Sequence, residues 1–239
     1  MTIDADNAKD AGTAETVVAR CSSHCYLPDP YFADDDVTLY HGDCRDILPL
    51  LEPVDLVLTD PPYPKEFDHV WDLLADFAPP AMKDGASLFT YCGHYQVPRV
   101  IDALRRHLTY HWLCIQPNAG GINPIMHGFG VKVNFKPVLW FRKGRWQKRG
   151  IVDDDLKRSP KAWAKSQCLH KWGQPVAYTP ILKLVDEGGT VLDPFAGSGT
   201  TLDAARRRRG LRLLHPDEGP CFGAARRRPS ECAGTSISI

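Results

Sequence analysis

An α/β fold built on a mostly parallel sheet is what this sequence predicts, and three observations carry the expectation. Short apolar runs alternate with segments of helical spacing along most of the 239 residues, the pattern of strands joined by crossover helices that cover both sheet faces. Two of those runs stop abruptly on a carboxylate, at Asp60 and at Asp193. The second is followed at once by a glycine turn and a new helical pattern, as at a strand-to-helix junction. The length suits one α/β domain with insertions and is too short for two large domains plus linkers.

In chain order, residues 1–30 are rich in Ala, Asp and Ser and aperiodic, so they read as a loose arm, and a single domain is expected over 31–239. Val37–Tyr40 reads as a strand, Arg45–Leu51 as a short helix and Val54–Thr59 as a buried strand. His69–Phe77 looks helical, Ala86–Tyr91 is a strand, and Gln96–His107 has helical spacing of apolar residues. Tyr110–Ile115 and Pro137–Phe141 are further strands. Asn118–Gly130 is rich in Gly, Asn and Pro, and Arg142–Lys165 is basic and weakly periodic, so both read as loops or insertions. Pro175–Val185 suits a helix, Gly189–Leu192 a buried strand, and Thr200–Arg209 the helix after the glycine turn. No internal repeat is found.

The totals exclude little, but the distribution is informative. Lys plus Arg (29) equal Asp plus Glu (29), so overall charge argues for neither a nucleic-acid partner nor a membrane. Acidic residues dominate from Met1 to Asp60, whereas basic ones dominate from Val131 to Pro175, an asymmetry that hints at a polyanion partner. The eight cysteines are scattered, without the paired short spacings of a disulfide framework. Cys21, His24 and Cys25 raise zinc, but no second ligand pair accompanies them, so no metal is expected. The acidic, polar start is unlike a signal peptide and no apolar run is long enough to span a bilayer, which makes a reduced cytoplasm the expectation.

Two motifs carry chemistry. In GGTVLDPFAGSGTTLDAA, Asp193 ends an apolar run and Gly197, Ser198 and Gly199 make a tight turn before a helix. Glycines there let a ligand approach the backbone, and the helix start presents free N–H groups. The turn lacks the Lys-Ser/Thr ending of a P-loop and the full GxGxxG spacing of a dinucleotide site. A carboxylate at the strand end instead suits a ligand with a positive amino group, such as S-adenosylmethionine, although plain fold punctuation would also use a GxG turn.

In VDLVLTDPPYPKEF, an apolar run ends on Asp60, Pro61, Pro62 and Tyr63. The exocyclic amine of a nucleobase is a poor nucleophile because its lone pair is delocalised into the ring. A carboxylate can accept one N–H and a proline carbonyl the other, which favours a tetrahedral nitrogen with its lone pair aimed at an electrophilic methyl. The prolines fix φ and so aim the carbonyl. Tyr63 offers a face on which a flipped-out base can stack. The alternative is a turn after a strand, with Asp60 capping a helix.

Together the two motifs resemble the S-adenosylmethionine-dependent amino-group DNA methyltransferases that act on adenine N6 or cytosine N4. The resemblance rests on Asp60-Pro61-Pro62-Tyr63 and on Asp193-Pro194-Phe195-Ala196-Gly197-Ser198-Gly199-Thr200-Thr201, and extends in pattern from about Val37 to about Arg209. The catalytic motif precedes the cofactor motif, as in the permuted beta group of that family. The resemblance implies a doubly wound, mostly parallel, seven-stranded sheet of the Rossmann-like methyltransferase type, circularly permuted and with one reversed strand. Ligands would gather at the carboxyl ends of the strands. It further implies that Asp43, in Tyr40-His41-Gly42-Asp43, contacts the adenine of the cofactor, with a helix cap as the alternative. His170-Lys171-Trp172-Gly173-Gln174-Pro175 would help hold the methionine end through Gln174, although Trp172 is equally suited to the core. The basic stretch 142–165 sits where the family keeps its target-recognition region. Arg142, Lys143, Arg145, Lys148, Arg149, Lys157 and Arg158 are therefore candidate contacts to double-stranded DNA, a solvated charged loop being the alternative.

The pattern breaks after Arg209. The family's next strand ends in an acidic residue for the ribose hydroxyls, but here Leu211-Arg212-Leu213-Leu214 is followed by His215-Pro216, with Asp217 and Glu218 slightly late. Either one of these substitutes by a shift or cofactor affinity is reduced. The resemblance implies an enzyme that methylates adenine N6 in DNA, since Asp or Asn before the prolines goes with adenine and Ser with cytosine. Its rivals are cytosine N4, an RNA or protein amine, and a non-catalytic DNA-binding protein with an impaired cofactor site. A restriction endonuclease partner cannot be inferred, and both monomer and homodimer remain open.

Overall fold

A computed structural model of the chain describes residues 26–118, 124–145, 150–156, 179–195, 201, 204 and 212–217. The strands are β1 (Phe32–Ala33), β2 (Val37–His41), β3 (Val54–Thr59), β4 (Met82–Tyr91), β5 (Thr109–Pro117), β6 (Ile125–Met126), β7 (Val131–Lys132), β8 (Phe135–Arg142), β9 (Thr190–Leu192) and β10 (Arg212–Asp217). The helices are α1 (Cys44–Ile47), α2 (Val70–Phe77), α3 (Val97–Leu104) and α4 (Thr179–Leu182).

One eight-stranded sheet runs in the order β1-β2-β10-β9-β3-β4-β8-β5. From β2 through β4 every described pairing is parallel, and β8 is antiparallel to both β4 and β5, so it is the reversed strand. The expectation of seven strands is corrected by one: the extra strand is the two-residue β1, which lies antiparallel on β2 at the sheet edge.

Alternating side chains make two cores. On β3, β4 and β8, Val57, Leu88, Leu139 and Phe141 face one side, where they meet Val70, Trp71 and Leu74 of α2 and Val100, Ala103 and Leu104 of α3. Leu56, Leu58, Phe89, Val138 and Trp140 face the other, against Ile181 and Leu182 of α4 and Leu156. A strand whose consecutive residues are all buried, as in Leu56–Thr59, is possible only with cover on both faces, and this one has it.

Most predicted elements appear with their ends moved. β4 begins at Met82 rather than Ala86, because Lys83 and Asp84 hide the strand pattern and Gly85 turns at φ 79°. Lys83 is tied to Asp55 of the neighbouring strand at 2.8 Å. The predicted loop Asn118–Gly130 instead contributes β6, paired antiparallel with β7. Arg142, assigned to a loop, is the last residue of β8. β10 runs through His215 and Pro216 to Asp217, where a break was expected after Leu214. The proline is tolerated because β9 pairs β10 only as far as Leu214, so Pro216 meets β2 alone and behaves as an edge residue. In the helix predicted over Thr200–Arg209, Thr201 and Ala204 are helical and buried. Cys21, His24, Cys25, Lys157–Lys165, His170–Pro175 and Glu218 lie outside the described residues. Among the described residues no helix is long and apolar enough to cross a membrane.

Candidate active site

Both motifs arrive at the same rim because their strands are neighbours. β3 and β9 are parallel, with Leu56 opposite Val191 and Val57 opposite Leu192, so Asp60 and Asp193 leave the sheet side by side at its carboxyl end. A buried hydrogen bond joins the two motifs: Thr59 Oγ1 donates to Asp193 Oδ1 at 2.7 Å across a separation of 134 residues. The same oxygen accepts from the Phe195 N–H at 3.0 Å, which shapes the turn that leads towards the glycines. Asp193 is only 2% exposed, and Pro194 and Phe195 beside it are buried. A buried carboxylate must be matched by donors or a cation. This is the donor set that a positively charged amino group would complete. Ala196, Gly197, Ser198, Gly199 and Thr200 lie outside the described residues, and Thr201 is helical and buried.

The loop after β3 is held from two directions. Pro61 is buried and Pro62 and Tyr63 are half-buried. The Tyr63 hydroxyl donates to Asp60 Oδ1, so the aromatic ring and the carboxylate are locked to each other. The Tyr63 carbonyl accepts from Tyr95 Oη at 2.7 Å and from Gln96 Nε2 at 3.0 Å. Gln96 is 2% exposed and anchored in turn by the Gly93 N–H on its Oε1 at 3.1 Å. Asp60 caps no helix: the next helical turn, Lys65–Phe67, starts from Pro64 without a side-chain cap.

Burial pushes the Asp60 carboxyl up to about 6; the Tyr63 hydroxyl and the Lys136 ammonium pull it down, and Asp193 adds a smaller upward push. Lys136 lies at the start of β8 with its Nζ 5.9 Å from the centre of the Tyr63 ring, within cation–π range. The Cys92 thiol, buried nearby, is pushed up to about 12 by burial and then by Asp60, which leaves it a neutral wall.

The sequence reading missed Thr59, Tyr95, Gln96 and Lys136. Thr59 had a signal, since it is the one hydroxyl in an otherwise apolar run directly before Asp60 apart from its partly exposed Asp55. The others come from strands and turns that only the pairing brings close.

Two groups of expected site residues stand elsewhere. Asp43 ends the β2 segment on the same rim, but β10 and β9 separate it from β3. Its side chain caps α1 by accepting from the Arg45 N–H at 2.9 Å, and Arg45 Nε lies 3.0 Å from both of its oxygens. Arg142, Lys143 and Arg145 are not brought to the Asp60 rim. β8 runs against β4, so Arg142 is level with Ser87 and Val138 with Tyr91, and the basic residues follow at the opposite end. Lys143 Nζ donates to the carbonyls of Pro79 and Met82 at 2.8 and 2.7 Å, which is a structural clamp. Lys148, Arg149, Lys157, Arg158 and Gln174 are outside the described residues.

Comparison with known proteins follows this geometry. A family model described as DNA methylase, covering N6 and N4 enzymes, matches residues 54–209. Type II methyltransferase M.HindIII of Haemophilus influenzae is 27% identical over 176 residues, which cover 52% of this chain and 57% of that protein. The chain thus spans little more than half the length of that curated relative. The crystal structure of an M1.HpyAVI–SAM complex superposes with a TM-score of 0.60 at 18% identity, over 78% of this chain and 94% of that one. PvuII DNA methyltransferase (cytosine-N4-specific) gives 0.63 at 19% identity, over 84% and 92%. At these identities the two structures establish a shared fold. The family match covers more than half the chain and runs from β3, the strand that leads into Asp60, to beyond Asp193, and by it the chain belongs to the DNA methylase family of N6 and N4 amino-methyltransferases.

Proposed function

We propose that the chain transfers the methyl group of S-adenosylmethionine to the exocyclic N6 amine of adenine in double-stranded DNA. The observation that carries this reading is the convergence of Asp60 and Asp193 on adjacent parallel strands, tied together by Thr59. When bound, the cofactor supplies an electrophilic methyl on a sulfonium. Asp193 would hold its amino group, the glycine-containing residues 196–200 its methionine backbone, and Asp43 and Gln174 its two ends. Asp217 is the last residue of β10, in register with His41, and an acidic residue closing that strand is what the ribose hydroxyls would need; this supports a working cofactor site over a degenerate one.

The chain's own residues act on the amine. Asp60 accepts one N–H and the carbonyl of Pro61 or Pro62 the other, so that the lone pair is drawn out of the ring. Asp60 need not be a strong base, because a methylated amine is acidic and can lose its proton to solvent. With its carboxyl near 6, Asp60 is ionised at neutral pH and serves as acceptor. Tyr63 supports the flipped base, and the Tyr95–Gln96 turn fixes the loop that carries it. We read the order of motifs as that of the permuted beta group, residues 31–239 as one domain, the cytoplasm as its compartment, and the rest of the basic stretch 142–165 as the target-recognition insertion.

The test is to incubate the protein with duplex DNA and methyl-labelled cofactor, then digest to nucleosides, comparing wild type with Asp60→Ala. N6-methyldeoxyadenosine from the first and almost none from the second is expected. Equal yields would remove the role of Asp60, and N4-methyldeoxycytidine would move the reading to the other amine.

A further inference from the structure

Beside the catalytic loop, but not lined by Asp60–Tyr63, is a cavity of about 330 Å³. It is formed by the turn after β4 and by the β6–β7 hairpin with the residues that lead into β8. Its walls include Tyr95 and Phe129, whose rings are nearly parallel, 14° apart, with centroids separated by 6.4 Å. That distance lies within the roughly 4.5–7 Å range of an offset-stacked ring pair, so a flat base could stack on the exposed face of the pair, and would enter between the two rings only once they part slightly. Both rings are accessible: Tyr95 is 38% and Phe129 65% exposed. Val131 and Val133 give the cavity apolar lining, Lys132, Asn134 and His94 bring polar side chains to it, and no carboxylate is among its described lining residues.

We propose that this slot is a second nucleobase site, which takes one unstacked base of the bound DNA next to the target while Lys132 meets the adjoining phosphate. The inference rests on the DNA-methylation reading and goes beyond it, since that reading needs a place only for the target base. The volume is at the low end for ligand sites, enough for one base with part of its sugar and too small for a dinucleotide. Aromatic faces that take bases without sequence preference, next to a cation for the backbone, are the usual chemistry of single-strand contacts. Asn134 carries both a donor and an acceptor for a base edge. Tyr95 belongs to both sites: its ring walls the slot and its hydroxyl donates to the Tyr63 carbonyl, so an occupied slot would steady the loop that holds the target.

The test uses a short mixed-sequence duplex in which thymines are replaced by 5-iododeoxyuridine, which crosslinks under ultraviolet light to aromatic rings stacked on it. Mass spectrometry of the full-length protein should place a crosslink on Phe129 or Tyr95. Phe129→Leu, at an exposed position where folding is checked by thermal melting, should lose the hairpin crosslink and bind DNA about tenfold more weakly. Tyr95→Phe should keep it. A crosslink on neither Phe129 nor Tyr95, or Phe129→Leu binding like wild type, would overturn the second site while N6-methyldeoxyadenosine formation by the wild type keeps the methylation reading intact. Failure of the wild type both to bind DNA and to methylate it would remove that reading and the slot with it.

Discussion

Asp60→Asn should stabilise the folded chain while impairing its chemistry. Burial moves the Asp60 carboxyl from its ordinary 3.8 to about 6. At about 1.4 kcal/mol per pH unit, that rise corresponds to at most about 3 kcal/mol by which the ionised group weakens the fold, less what water screens at this half-buried side chain. The sign follows from proton affinity: the folded chain holds this proton more tightly than the unfolded one. The contribution to stability is therefore fully present below about pH 3.8, is lost as pH rises towards 6, and is flat above it. Asparagine keeps an oxygen for the Tyr63 hydroxyl and carries no charge, so the variant should escape the loss. Urea unfolding followed by circular dichroism should show a gain approaching about 3 kcal/mol at pH 8, falling to about half of that at pH 5. Turnover should drop, since an amide oxygen is a weaker acceptor than a carboxylate, and its dependence on pH near 6 should vanish. A variant no more stable than wild type at pH 8, or one whose gain is the same at both pH values, would refute the claim that Asp60 is a desolvated acid.

Three further outcomes are expected. Lys136→Met removes a cation that lowers the Asp60 carboxyl, so the acidic limb of kcat/KM against pH should move upward from about 6, with Lys136→Arg restoring it. Thr59→Val deletes the buried donor to Asp193 and leaves that oxygen with the Phe195 N–H; a loss of about 1–3 kcal/mol in unfolding free energy and weaker S-adenosylmethionine binding by calorimetry are expected. Gly144 sits at φ 59° with the site of a Cβ 1.6 Å from Asp84 Oδ1, so Gly144→Ala should cost the fold the left-handed penalty of about 1–2 kcal/mol plus the displacement of Asp84, read as a lower melting temperature, with methyl transfer retained below that temperature.

How legible the molecule was depended on whether a feature is local. β3 was readable end to end because an apolar run closed by Asp-Pro-Pro can be little else, and the reversed β8 was readable as a strand because Val138–Phe141 must be buried on both faces. The two acids were readable as chemistry because a carboxylate that ends a buried strand needs a reason. What failed was pairing. Neither the β6–β7 hairpin, with two residues on each side, nor the start of β4 at polar Lys83 and Asp84 has enough periodicity to register. Pro216 reads as a break because a proline is costly in a central strand, and only the short reach of β9 makes its place an edge. Gln96 looked like a helix start and is instead the buried strap on the Tyr63 carbonyl.

Strand direction also decides which charges can serve the cleft, and it divides the basic stretch that composition presents as one. β8 enters at the carboxyl rim and leaves at the opposite one, so Lys136 faces Tyr63 while Arg142, Lys143 and Arg145 are carried away along the strand at about 3.3 Å per residue. A phosphate close to a base held at Asp60 would meet Lys136, or Lys132 on the hairpin, before it met any of the three. Lys143 is in addition committed to two carbonyls, and neutralising it would first release the connection between α2 and β4 from the end of β8. If counterion release is measured from the salt dependence of DNA affinity, Lys132→Ala should therefore flatten the slope by about one ion. Arg145→Ala, on the far rim, should leave the slope where it was, and an equal change in both would mean that the DNA wraps across the two ends of the sheet.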